Sequence, residues 1–175
     1  MEYFVMKSSV NSPFTTNGKE TMLYPHRLSE ENYQSMPAGK VYYYQDREDI
    51  EIPELLIQPT FMVGDSLRQI ISVYDDAVDW KALYMMPNEE EKVVNKTKRY
   101  SIPNLTKWKC LHKEAEVAPN GAVTKLVLDK SKMRNMPIFQ VEETMENYVI
   151  VSLELAESIS RRHLYGVRVE RVEVK

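Results

Sequence analysis

Apolar residues recur at two different spacings along this chain, and the spacing separates its predicted helices from its predicted strands. One stretch follows the helical spacing of three and four residues, with apolar side chains at Leu67, Ile70, Ile71 and Tyr74. Asp65 precedes them and is the predicted N-cap, because its carboxylate can accept a hydrogen bond from a free backbone N–H. The apolar stripe has to be covered, so this helix is expected to pack on a sheet.

A second copy of this arrangement lies near the C-terminal end of the sequence. Ser152 follows a short apolar strand and is the predicted N-cap of another helix. Placing Val63 on Val151 puts Leu67 on Leu155 without gaps, and the two apolar stripes then coincide. We interpret the two segments as a repeated strand–helix–strand unit.

The remaining apolar runs have the length and alternation of strands. They are residues 2–7, 41–44, 78–86, 100–102, 108–111, 123–128, 137–141 and 148–151. Pro119-Asn120-Gly121 predicts a turn that joins the strands at 108–111 and 123–128, and the strand at 137–141 is expected to pair with 149–151. The predicted fold is α+β, a mixed or mostly antiparallel sheet with few helices, built around units at about 60–86 and 148–174.

The N-terminal third has a weaker pattern than the rest. We predict a single domain over 1–175, in which 1–59 includes a long loop at 8–39 rich in Ser, Asn, Pro and Gly. A short helix at about Ser29–Gln34, capped by Ser29, is expected within that loop. Loops of this length in compact domains commonly serve a function or move.

Charge and composition narrow the class of protein. The 175 residues contain 23 Lys and Arg against 26 Asp and Glu, a net charge of −3, which disfavours general nucleic-acid binding. The sequence has neither a signal-peptide pattern at its start nor an apolar run long enough to span a membrane. A single cysteine, Cys110, cannot form an intramolecular disulfide. We expect a cytoplasmic protein without membrane partners.

Candidate chemistry is sparse in this sequence. The motifs GxGxxG, GxxxxGK[ST], HExxH and GxSxG are all missing from it. Cys110 and His112 lie two residues apart and can bind a soft metal or form a nucleophile–base pair, but a buried thiol beside a surface histidine is the favoured interpretation. An enzyme or small-ligand site that Cys110, His112 and the carboxylates of 46–51 form only in three dimensions stays the alternative.

The segment from Tyr42 to Glu54 combines aromatic residues with five carboxylates and one arginine. Aromatic side chains supply rigid contact area, and carboxylates steer a basic partner. The candidate partner-binding residues are Tyr42, Tyr43, Tyr44, Asp46, Glu48, Asp49 and Glu51. The structural alternative is that alternate tyrosines are buried and the acids face water. Self-association of a scaffold subunit through the edge of the Tyr42–Tyr44 strand is a third possibility.

Several apolar framework segments of the C-terminal third together resemble a known family. They are Lys125–Asp129, Pro137–Phe139, Ile150–Ser152, Leu155–Ser158, Gly166-Val167 and Val169–Val174. This pattern is similar to the bacterial immunity-protein family of polymorphic toxin systems first defined from a Myxococcus protein. The strand–helix segment at Val63–Met86 fits the middle region of that family, so the similarity covers about 60–175.

The resemblance implies a function that the residue pattern alone does not give. Members of that family are small cytoplasmic proteins encoded beside a toxin, which they bind and neutralise. The family has no assigned catalytic residues and no obligatory cofactor. The resemblance therefore implies a cognate toxin as partner, no enzymatic activity, and no cofactor or metal.

Overall fold

The computed structural model describes residues 2–12, 28–44, 51–58, 60–88 and 97–175. The helices are α1 (Glu30–Ser35), α2 (Asp65–Tyr74) and α3 (Leu153–Ser160). The strands are β1 (Tyr3–Ser8), β2 (Lys40–Tyr44), β3 (Leu55–Leu56), β4 (Met62–Gly64), β5 (Asp79–Pro87), β6 (Lys98–Asn104), β7 (Lys107–Trp108), β8 (Glu116–Val117), β9 (Val123–Lys125), β10 (Val127–Leu128), β11 (Ile138–Val141), β12 (Val149–Ser152) and β13 (Val167–Val174). The described chain is strand-rich with few helices, which confirms the α+β class.

Two sheets share one strand plan. The orders are β2-β5-β6-β4-β3 in the five-stranded sheet and β10-β13-β1-β12-β11-β7 in the six-stranded sheet. In each, the strands before and after a helix are parallel and are separated by one antiparallel strand, β6 or β1. The strand that precedes the helix has an antiparallel neighbour on its outer side, β3 in one sheet and β11 in the other. The strand that follows the helix has a parallel neighbour on its outer side, β2 in one sheet and β10 in the other.

The two predicted strand–helix–strand units are therefore confirmed, and the structure extends each of them. Unit one consists of β2–β6 with α2, and unit two consists of β10–β13 with α3 and β1. The inserted strand of unit one follows β5 in the chain, whereas unit two takes its inserted strand from the N-terminus. The two residues aligned from the sequence, Val63 and Val151, occupy the same place: Val63 pairs with Leu55 and Ser101, and Val151 pairs with Ile138 and Phe4.

A shared core joins the two units. The helices α2 and α3 pack against each other, and their apolar stripes meet side chains from both sheets. Leu67 and Leu155, which are equivalent in the two units, are both fully buried. The opposite side of the five-stranded sheet forms a second cluster with Tyr33 and Met36 around α1, and a third cluster lies on the opposite side of the six-stranded sheet.

Local hydrogen bonds explain where the helices begin. Ser29 and Ser152 cap α1 and α3 as predicted, each through its side-chain oxygen. The prediction of Asp65 as the N-cap of α2 is wrong, because Gly64 occupies that position and Asp65 is the first helical residue. A carboxylate distant in sequence contributes at this helix start: Oε2 of Glu54 accepts a hydrogen bond from the backbone N–H of Leu67 at 3.3 Å.

The predicted hairpin between 108–111 and 123–128 forms only in part. The turn exists, with Gly121 at a φ of +82°, but the strands that it joins are β8 and β9. β7 pairs instead with β11, in parallel, and Leu111 makes only an isolated bridge to Leu128. Pairing of 137–141 with 149–151 is confirmed by the antiparallel register of Ile138 with Val151.

Candidate functional site

The three candidate tyrosines of β2 alternate between the two faces of the five-stranded sheet. Tyr42 and Tyr44 are 1% exposed and pack in the cluster around α1, so they offer no contact surface. Tyr43 points to the other face and is 49% exposed. Alternation along a strand produces this division, since successive side chains project to opposite sides. Only the middle tyrosine is placed to anchor a partner.

The candidate carboxylates follow β2 in the chain. Asp46, Glu48 and Asp49 lie outside the described residues. Glu51 is described and is exposed to solvent. Its carboxylate is therefore available to attract a basic group of a partner. A single ion pair that is exposed to water contributes little affinity.

The exposed side of β2 continues onto the neighbouring strand β5. Val41 and Tyr43 lie opposite Tyr84 and Met86 in the parallel register, and residues opposite each other share one face of a sheet. We refer to these four residues as the β2–β5 face. Val41 is 36% exposed, and Tyr84 and Met86 are half-buried. Because α2 packs on β4 and β6, the face lies beside that helix.

Val41, Tyr84 and Met86 were not among the candidate partner-binding residues predicted from the sequence. The alternation within 79–87 separates Tyr84 and Met86 from the buried Leu83 and Met85. The sequence shows this alternation, but no local feature of the sequence shows that β5 lies beside β2. The parallel pairing of these strands brings the four residues together.

The surroundings of Cys110, the thiol of the enzymatic alternative, do not suit nucleophilic catalysis. Cys110 is completely buried, and the loss of hydration, followed by the nearby Glu143 carboxylate, raises the pKa of its thiol to about 12. A nucleophilic cysteine needs a lowered pKa. His112 accepts a hydrogen bond from the backbone N–H of Glu114 at Nδ1, at 3.3 Å. Cys110 therefore has the environment of a core residue.

Glu143 beside Cys110 has a structural role. Its two carboxylate oxygens accept hydrogen bonds from the backbone N–H groups of Cys110 and Leu111, at 3.0 and 3.2 Å. These contacts hold the segment after β7, whose two N–H groups have no strand partner among the described residues. The carboxylate is therefore engaged by backbone donors rather than by an acid–base partner.

Within the described part of the chain, no group of three His, Cys, Asp or Glu residues is arranged to hold a metal ion. A cavity of about 440 Å³ opens beside β1 and the β8–β9 turn, with Met6, Ile57, Met145 and Tyr148 among its lining residues. Neither Cys110 nor His112 lines this cavity.

The sequence matches no protein-family model, and no curated protein matches it. Among the described residues, no helix is both long and apolar enough to cross a bilayer.

Proposed function

We propose that this protein is a cytoplasmic immunity protein that binds a cognate bacterial toxin and blocks its active site without catalysing a reaction. The β2–β5 face is the single observation that carries the proposal. The resemblance of the C-terminal region to toxin-immunity proteins supplies the class of partner. The buried, protonated Cys110 favours this function over the enzymatic alternative that was built on that thiol.

Blocking a toxin requires a rigid surface with a few strong anchors. Tyr43 offers a large aromatic side chain that loses little conformational freedom on binding. It is held in place because its neighbours Tyr42 and Tyr44 are locked in the core on the opposite face. The strand therefore presents Tyr43 in a fixed position, which reduces the entropic cost of association.

Charge would influence the approach of the toxin more than the final affinity. The sequence after β2 carries Asp46, Glu48, Asp49 and Glu51, which would attract a toxin with a basic substrate channel, such as a nuclease. Neutralising all four residues to Ser or Asn should slow association and weaken its dependence on salt. A cognate toxin with an acidic cleft would contradict this part of the proposal.

Co-expression tests the function directly. The chain is produced in bacteria together with the toxin domain of the secreted protein encoded beside it, and both survival and co-purification are measured. The wild-type chain should rescue the cells and co-purify with the toxin. Tyr43→Ser should reduce both. Tyr165→Ser is the matched control, because Tyr165 is 39% exposed and its carbonyl contacts Glu54 near β3, at the opposite edge of the five-stranded sheet.

The outcomes separate the proposed function from its alternatives. Cells that die although both proteins accumulate would contradict the immunity function. Rescue without co-purification, at amounts of chain far below those of toxin, would favour an enzyme that inactivates the toxin. A chain that sediments as a dimer and loses that state on Tyr43→Ser would favour self-association through this face.

A further inference from the structure

The two units allow the same structural positions to be compared within one molecule. Ser101 pairs with Val63 on one side and Ala82 on the other, and Phe4 pairs likewise with Val151 and Arg171. Ala82 in unit one is therefore equivalent to Arg171 in unit two. Two residues further along these strands, Tyr84 is equivalent to Glu173. On the inserted strands, Arg99 lies two residues before Ser101 and Glu2 lies two residues before Phe4, so Arg99 is equivalent to Glu2.

Unit two carries charged, mutually paired side chains at these positions. Arg171 forms an ion pair with Glu2. Glu173 forms ion pairs with Lys175 at 3.1 Å and with Lys125 at 3.8 Å. The charged side chains of this surface form ion pairs with one another and are hydrated by solvent. The strand plan thus tolerates a polar surface here, so the fold alone does not require the apolar β2–β5 face of unit one.

Arg99 borders the β2–β5 face, and Arg68 contacts β5 at Trp80; neither forms a close ion pair with a described residue. Arg99 lies opposite Tyr84 on β6, and its Nε is shielded from solvent and donates no hydrogen bond within the described part of the chain. A carboxylate oxygen of Asp65 lies 3.9 Å from this Nε. Arg68 of α2 stacks over Trp80, with 5.7 Å between the guanidinium carbon and the ring centroid, and forms no ion pair with a described residue.

Both arginines open onto one groove. A surface groove of about 640 Å³ runs along α2, and Asp65, Arg68 and Arg99 contribute its charged side chains. Two cations and one anion leave a net positive site at the border of an aromatic face. A guanidinium group binds a carboxylate through two parallel hydrogen bonds, and shielding by aromatic neighbours strengthens such a contact.

We propose that the β2–β5 face and the groove of Arg68 and Arg99 form one docking surface, on which the toxin places a carboxylate side chain flanked by apolar groups. This inference rests on the proposed function and defines the partner's chemistry at that site. Apolar groups of the toxin cover Tyr43, Tyr84 and Met86, and its carboxylate binds the two guanidinium groups.

A protein carboxylate suits the groove better than a nucleic-acid phosphate. Asp65 lies within the groove and is half exposed, and the whole chain has a net charge of −3. A phosphate backbone, with a charge at every nucleotide, would be repelled by Asp65 and by the net negative charge of the chain, whereas one side-chain carboxylate can avoid Asp65. The aromatic residues beside the groove also favour a protein partner, because they offer broad apolar contact.

Binding measurements on charge-neutral variants test the inference. The purified toxin domain of the neighbouring gene is titrated with the wild-type chain and with Arg68→Gln/Arg99→Gln, at low and high salt. The double variant should bind at least about thirtyfold more weakly, the loss expected for central interface residues, and with a smaller salt dependence. Tyr84→Glu, which introduces the residue of unit two, should cause a comparable loss.

Matched controls come from unit two. Arg171→Gln and Glu173→Gln remove charges at the equivalent positions and should change the affinity by less than about twofold, in the range of surface substitutions. Thermal unfolding of every variant verifies that it is folded. If Arg68→Gln/Arg99→Gln is unfolded, Tyr84→Glu and the single variant Arg68→Gln decide the outcome.

Each result has a defined meaning. Loss of binding in the unit-one variants, with the controls unaffected, supports the inference. Wild-type binding that survives in the unit-one variants overturns the docking surface and leaves the immunity function intact. If Tyr84→Glu binds the toxin more weakly but Arg68→Gln/Arg99→Gln binds it as the wild type does, the proposed contact with a toxin carboxylate is overturned. A wild-type chain that does not bind the toxin overturns both the function and the inference.

Discussion

Chemical modification of Cys110 tests whether this thiol belongs to the core. The perturbation is the addition of iodoacetamide to the native protein at about pH 8. Burial and the neighbouring Glu143 carboxylate raise the thiol pKa from 9.0 to about 12. Because only the thiolate reacts, its fraction at that pH falls from roughly 0.1 for an ordinary thiol to roughly 10⁻⁴, about a thousandfold. Complete burial of the side chain slows the reaction further.

The assay follows the mass of the intact protein over time. The native protein should gain the alkyl group at least about a thousandfold more slowly than the same chain in guanidinium chloride. Cys110→Ala supplies the blank for reaction at other side chains, since the chain has no second cysteine. A native rate within tenfold of the unfolded rate would refute the reasoning and would make Cys110 a candidate nucleophile again.

Three further predictions concern the stability of the fold. Leu67→Ala and Leu155→Ala should each lower the free energy of unfolding by about 2–5 kcal/mol in urea denaturation, because the two residues are fully buried at equivalent sites; a loss confined to one would contradict the equivalence. Lys81→Met should cost about 1.5–3 kcal/mol, because the ammonium donates hydrogen bonds to three carbonyls at the end of α1, at 2.5–2.9 Å; an unchanged urea midpoint would dismiss that role. A hydrogen bond from Lys7 lowers the pKa of Glu170, so its stabilising effect is present above about pH 4.5 and is lost as the pH falls through the lowered value; melting temperatures from pH 6 to 3 should decline less steeply for Glu170→Gln.

Local rules predicted the helices and most of the strands. The spacing of Leu67 and Leu155 within their apolar stripes fixed α2 and α3, and the hydroxyl of Ser152 marked the start of α3. These signals act over one or two helical turns, which a single sequence displays directly. The start of α2 was misread because the carboxylate at that helix end belongs to Glu54, on a different segment.

Contacts between distant segments were beyond such rules. The sequence shows alternation in β2 and in β5, but the parallel pairing of Val41 with Tyr84 depends on how both strands pack in the cluster around α1. The placement of β1 inside unit two is similarly non-local, since Phe4 and Val151 are far apart in the chain. Of the candidate tyrosines, alternation alone separated Tyr43 from its neighbours, and burial decided which side faces water.

Titration of toxin activity tests the central claim most directly. Increasing amounts of the purified chain are added to a fixed amount of the neighbouring toxin domain, and the residual toxin activity is measured. Blocking by a docked surface predicts that inhibition grows in proportion to the added chain and is complete at a fixed molar ratio. Complete inactivation by a small fraction of one equivalent, or full toxin activity in excess chain, would contradict it.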